Sequence, residues 1–88
     1  MTYRIEFKPS ALKSLKKLSK DVQRRIGVKI DSLSENPRTP GVEKLSGKHD
    51  LYRVKVGNYR IVYTIYDDKL LVLVVEIGHR REIYQRMR

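Results

Sequence analysis

The chain has 88 residues, and its 20 Lys and Arg against 10 Asp and Glu give a formal net charge of +10. That length suits one small domain, residues 1–88, with a modest core, and the charge points to a polyanionic partner: nucleic acid, an acidic protein, or both in turn. The absence of Cys excludes disulfides and thiolate metal sites, and the longest apolar run, Leu70 to Val75, is too short to span a bilayer.

In chain order, Tyr3, Ile5 and Phe7 alternate with Arg4 and Glu6, which predicts a half-buried strand. Pro9 then sits where a helix begins, because its fixed φ suits the first turn and its missing N–H is not needed there. Ala11, Leu15, Leu18 and Val22 follow at helical spacing, with Lys13, Lys16, Lys17 and Lys20 opposite. Ser19 and Asp21 mark a break between two helices, and Val22, Ile26, Ile30 and Leu33 form a second stripe ending near Asn36-Pro37. Between Lys8 and Ile30 there are eight Lys or Arg and one acid, Asp21. Most of these form a solvated helix face that can raise the on-rate for RNA.

Pro37 to Gly47 carries Pro37, Pro40, Gly41 and Gly47 and reads as a loop with one apolar anchor, Leu45. His49 is assigned to the junction between this loop and the next strand. Leu51 to Tyr63 follows, two alternating runs around Gly57-Asn58. Gly followed by Asn suits a two-residue type II′ turn and a tight hairpin. Val56 then faces Tyr59, Lys55 faces Arg60, and Arg53 faces Val62. Val54, Val56, Tyr59, Ile61 and Tyr63 share the core face. Arg53, Lys55 and Arg60 share the other. Lys55 opposite Arg60 is a like-charge pair, which disfavours the hairpin by itself, so an anion site is the reading that explains it. After Tyr66 a short Asp67-Asp68 turn leads into a strand from Lys69 to Ile77, apolar on both faces over Leu70 to Val75 and so expected to be covered on both sides. That turn places Arg60 opposite about Val75. Gly78 ends the strand, and His79 to Arg86 forms a short helical tail. The fold class is α+β: β-α-α-β-β-β with a mixed or antiparallel sheet, two N-terminal helices on one face and a short C-terminal helical tail.

The Gly78 end of the last strand then lies near the Gly57 turn, so that His79 and Arg80 emerge beside Lys55 and Arg60. Such a set can cleave RNA without metal or cofactor. The ribose 2′-OH attacks the adjacent phosphorus, the 5′-oxygen leaves, and Arg and Lys stabilise the phosphoryl charge. Arg53, Arg60 and Arg80 cannot serve as base. Lys55, placed between two arginines that favour release of its proton, and His79 are the candidates, with Tyr84 a further proton donor or base-stacking residue. Arg81 adds a phosphate contact. No carboxylate pair, Gly-rich nucleotide loop, Ser-His-Asp set or zinc spacing is present.

Three stretches together resemble the RelE branch of the RelE/ParE toxin superfamily: Leu45-x-Gly47, Leu51 to Tyr63, and Ile77-Gly78-His79-Arg80-Arg81-Glu82-Ile83-Tyr84. The resemblance covers the whole chain. It implies a type II toxin that cuts messenger RNA in the ribosomal A site and arrests translation. It also implies a cognate RelB-like antitoxin from the same operon, and a cytoplasmic location. The family's active site falls on Arg53, Lys55, Arg60, Arg80 and Tyr84. The best-studied pattern has Lys where this chain has Arg53, which puts base duty on Lys55 or His79, and Tyr84 lies closer to the Arg than in some members. The ParE branch shares the fold but poisons DNA gyrase. A gyrase inhibitor and a non-catalytic RNA- or antitoxin-binding module are the alternatives, and Arg60 and Arg80 discriminate, since only the ribonuclease needs both.

Overall fold

The computed structural model describes residues 2–45 and 50–86, the last three by backbone alone. Gly47, His49 and the Tyr84 side chain lie outside the described residues. Strand β1 (Arg4–Phe7) leads into helices α1 (Pro9–Lys16) and α2 (Lys20–Glu35). Strands β2 (Glu43–Lys44), β3 (Leu51–Val56), β4 (Tyr59–Tyr66) and β5 (Leu71–His79) follow, then helix α3 (Arg80–Arg86). The sheet order is β1-β5-β4-β3-β2, with β1 parallel to β5 and the other pairs antiparallel. The α+β class with a mixed sheet is as the sequence implies.

Local chemistry sets the helix boundaries. Pro9 is the first residue of α1, after an extended Lys8. The Ser19 hydroxyl accepts from Val22 N at 3.3 Å, so a side-chain cap starts α2 where the apolar stripe changes course. Such a cap contributes about 1 kcal/mol. Asn36, held extended before Pro37, ends α2. Ala11, Val22, Ile26, Ile30 and Leu33 from the helices then pack against Val54, Ile61, Tyr63, Val72, Val74 and Ile77 from one sheet face. Each fully buried aliphatic side chain contributes about 1.5–3 kcal/mol.

Three expectations need correction. The Pro37–Gly47 loop contains β2, an exposed two-residue edge strand of charged residues with no alternation to betray it. Arg60 pairs with Gly78 rather than Val75. The turn after β4 takes four residues, a 3-10 turn over Asp67–Lys69 plus left-handed Leu70 (φ 48°), instead of two. A β-bulge adds a third: the register passes from Val62↔Glu76 to Tyr63↔Val74 and leaves Val75 unpaired. The bulge keeps Ile77 on the core face and turns Gly78 outward.

The third correction concerns the outer sheet face, which among the described residues is covered only at its Gly78 end. There α3 lies so close that a Cβ on Gly78 would meet Glu82 Oε2 at 3.2 Å and Ile83 Cδ1 at 3.5 Å. Ile83 and Val62 are fully buried, apart from the main core. Further along, Leu73 and Val75 are only half-buried and line a groove of about 460 Å³ with Leu51, Thr64 and Tyr66. Among the described residues no helix is long and apolar enough to cross a membrane.

Candidate functional site

The β3–β4 hairpin closes through Gly57 and Asn58, with Gly57 at φ 59°. This is the left-handed conformation that the first central residue of a type II′ turn requires and that Gly takes without steric penalty. The register is as expected: Val56↔Tyr59, Lys55↔Arg60 and Arg53↔Val62. Gly78 lies across from Arg60 and His79 across from Tyr59. Arg80 N donates to Asn58 O at 2.8 Å, which fastens the start of α3 to the hairpin turn. The chain thus brings Lys55, Arg60, His79 and the backbone of Arg80 and Arg81 to one end of the sheet.

The cations there are not equivalent. Lys55, Arg80 and Arg81 are exposed. Arg60 is only 5% exposed, unlike the other cations at this end. Its removal perturbs packing as well as charge. Arg60 Nη1 donates to Gly57 O at 3.1 Å and Tyr59 O at 3.0 Å. These carbonyls hold the guanidinium in place without neutralising it. Arg60 Nε is buried and has no hydrogen-bond partner among the described residues. A buried donor left unsatisfied is costly, and an anion oxygen is the acceptor that best matches a charged fork.

His79 packs edge-on to Tyr59, ring centroids 5.7 Å apart. Its Nδ1 accepts from Arg81 N at 3.3 Å. In the neutral ring the proton therefore sits on Nε2, by the hydrogen-bond inference that assigns tautomers. Arg53 is placed differently again. It stands across from Glu43 of β2, whose carboxylate accepts from its guanidinium. Glu43 was not legible as a site residue, since it sits in the stretch read as a loop. On α2, Arg25 Nη1 comes within 3.5 Å of where a Gly57 side chain would begin, so a helix arginine also flanks the hairpin turn. Nothing in the local sequence signals that approach, because α2 and the hairpin are brought together only by core packing.

A second polar cluster occupies the opposite end. Arg38 Nη1 and Nη2 donate to Asp67 Oδ1 and Oδ2 at 3.0 and 2.8 Å. Tyr3 OH donates to Asp67 Oδ1 at 2.8 Å. The Arg38 fork, then the Tyr3 hydroxyl, hold the Asp67 carboxyl down at about 2. The same hydrogen bond to Asp67 raises Tyr3 above its usual range. Burial raises Tyr63 well above its usual range, and its OH donates to Pro37 O at 2.6 Å. This cluster is filled by its own carboxylate.

Comparison with known proteins agrees with this architecture. The profile of the family described as "ParE toxin of type II toxin-antitoxin system, parDE" matches residues 5–84. The mRNA interferase toxin RelE of Escherichia coli (strain K12) is 35% identical over 88 residues, which cover 96% of this chain and 92% of that protein. The toxin in the crystal structure of the intact E. coli RelBE toxin-antitoxin complex superposes with a TM-score of 0.78 at 34% identity, covering 88% of this chain and 95% of that one. A chain of the archaeal RelE-RelB complex from Pyrococcus horikoshii OT3 gives 0.80 at 30% identity, covering 91% and 97%. A match running nearly end to end, in sequence and in fold, shows that the chain belongs to the RelE branch of the RelE/ParE superfamily of type II toxins.

Proposed function

We propose that this protein is the toxin of a type II toxin–antitoxin system and acts as a ribosome-dependent endoribonuclease in the cytoplasm, cutting messenger RNA in the A site. The observation that carries the reading is Arg60: a buried guanidinium, fixed by two carbonyls, with a donor to spare, across from exposed Lys55 on one side and Gly78 on the other. Arg60 and Arg80 stabilise charge gathering on the phosphoryl oxygens. Lys55 takes the 2′ proton as O2′ bonds to phosphorus and the P–O5′ bond breaks. The leaving 5′-oxygen takes a proton from Tyr84, since His79 with its one proton on Nε2 would have to become imidazolate to give it up, and the upstream fragment ends in a 2′,3′-cyclic phosphate. Lys55 is favoured over His79 as base because His79 Nδ1 already accepts from Arg81 N. The remaining ring nitrogen then bears the proton and cannot accept another.

The partner of the free toxin is a RelB-like antitoxin. Support comes from the relatives solved as RelE–RelB complexes and from the net charge of +10, which favours a partner that neutralises the cationic end. The test is to add purified protein to programmed ribosomes and map RNA 5′ ends, with a parallel assay of gyrase supercoiling. Cleavage within the A-site codon and unchanged supercoiling are expected. Inhibited supercoiling without cleavage overturns the reading in favour of the gyrase-poisoning branch.

A further inference from the structure

Glu43 and Arg53 are direct cross-strand partners in β2 and β3, joined by a hydrogen-bonded ion pair. The Arg53 side chain is only 14% exposed, whereas Glu43 is 53% exposed. The guanidinium is thus largely covered, and the carboxylate stands on the solvent side. A charge-assisted bond of this kind is roughly twice as strong as a neutral one. For RNA to use Arg53, a phosphate oxygen must displace the carboxylate and then leave Glu43 facing the phosphate as an uncompensated like charge. Arg60 presents the opposite case, since its acceptors are the neutral carbonyls of Gly57 and Tyr59 and its Nε is unmatched among the described residues.

We propose that Glu43 keeps Arg53 as its own counter-ion while RNA is bound, so that Glu43 sets the edge of the phosphate site and confines phosphate contacts to Lys55, Arg60 and Arg80. The inference rests on the ribonuclease reading of that site and narrows it. It assigns to Glu43 a specificity role on the substrate path: a phosphate approaching from the β2 edge meets a carboxylate, and one approaching from the hairpin turn meets free cations.

The test is the salt dependence of binding to a single-stranded 2′-O-methyl RNA oligonucleotide, which binds but cannot be cut. Each neutralised phosphate contributes about 0.7 to the slope of log K against log salt for single strands. Arg53→Gln is expected to keep the wild-type slope. Glu43→Gln is expected to steepen it by about 0.7, as the released Arg53 takes up one phosphate. The double variant should return to the wild-type slope, and Glu43→Asp, which keeps the carboxylate, should stay near it. Glu35→Gln makes the same charge change at the C-terminal end of α2 and should leave the slope alone. The proposal is overturned by a shallower slope in Arg53→Gln, by a wild-type slope in Glu43→Gln, or by an equal steepening in Glu35→Gln. A failure of the underlying site looks different: Arg60→Gln and Arg80→Gln would both leave affinity and slope unchanged, or the wild type would not bind at low salt.

Discussion

At the Asp67 end of the sheet, Arg38 sets both arms of its guanidinium on one carboxylate, at 3.0 and 2.8 Å. At the Gly57 end, Arg60 has two backbone carbonyls for Nη1 and nothing for Nε among the described residues. The two residues are chemically identical and belong to one small sheet, so the difference lies in the acceptor. A carboxylate satisfies the charge and the geometry together, and the arginine becomes a clasp between segments. A carbonyl satisfies geometry alone, and the positive charge is left to act on whatever anion arrives. Burial sharpens the contrast, because the largely exposed Arg38 pair is screened by water and the buried Arg60 is not.

The largest expected effect falls on Lys55, the exposed cation across from Arg60. Lys55→Arg keeps the charge and removes the group proposed as base. Single-turnover cleavage on programmed ribosomes should slow by about 10²–10⁴-fold at every pH, the usual worth of a positioned base. If this variant cleaves at near-normal rate while His79→Ala does not, base duty belongs to His79. The next effect exchanges the two arginines. Arg60→Gln should lower cleavage by about 10²–10³-fold, the usual loss for one donor to a developing oxyanion. Because Arg60 is buried, the rate is read against the folded fraction followed by circular dichroism. Arg38→Gln should do the reverse, lowering the melting midpoint while cleavage per folded molecule is unchanged. Equal effects of both variants on cleavage would erase the distinction between the two ends.

Much of this arrangement was legible in the sequence, and the illegible parts share a cause. The hairpin could be read to the residue because a two-residue turn fixes register and alternation fixes faces, so Lys55↔Arg60 followed directly. The Arg60–Gly78 pairing did not follow, because the 3-10 turn and the Val75 bulge leave no periodic trace yet move the partner by three positions. Glu43 stayed hidden because a two-residue edge strand shows no alternation. The burial of Arg60 stayed hidden because its cover is α3, laid over Gly78 by a tail whose direction the sequence does not encode locally. Alternating segments reveal which residues share a face. What covers that face depends on contacts between segments far apart in the chain.

The smallest effect, and the one that tests the clasp rather than the chemistry, is the pH dependence of stability. Tyr3 precedes β1, Arg38 follows α2, and Asp67 lies in the turn between β4 and β5, so their bonds tie three distant segments together. In the unfolded chain an Asp titrates near 3.9, and in the fold Asp67 is held at about 2, first by Arg38 and then by Tyr3. The folded value is the lower one, so the unfolded state binds more protons in between and stability rises with pH there. The clasp contributes fully above about pH 4 and is lost as pH falls towards about 2. Tyr3 has the opposite sign. Its folded value is raised, so its contribution is complete below about pH 10, the unfolded value, and is lost as pH rises through the folded one. Asp67→Asn should therefore melt below the wild type at neutral pH, with the gap closing between about pH 4 and pH 2. Tyr3→Phe should show its gap narrowing in the same acid window, because its bond also helps to lower Asp67, and closing again at the alkaline end. The gap between Arg60→Gln and the wild type should not change through the acid window, since no carboxylate partners Arg60 among the described residues. An Asp67→Asn gap that persists undiminished to pH 2 would show that Arg38 is held by packing against Tyr52, over whose ring it lies at 5.7 Å, and not by the ion pair.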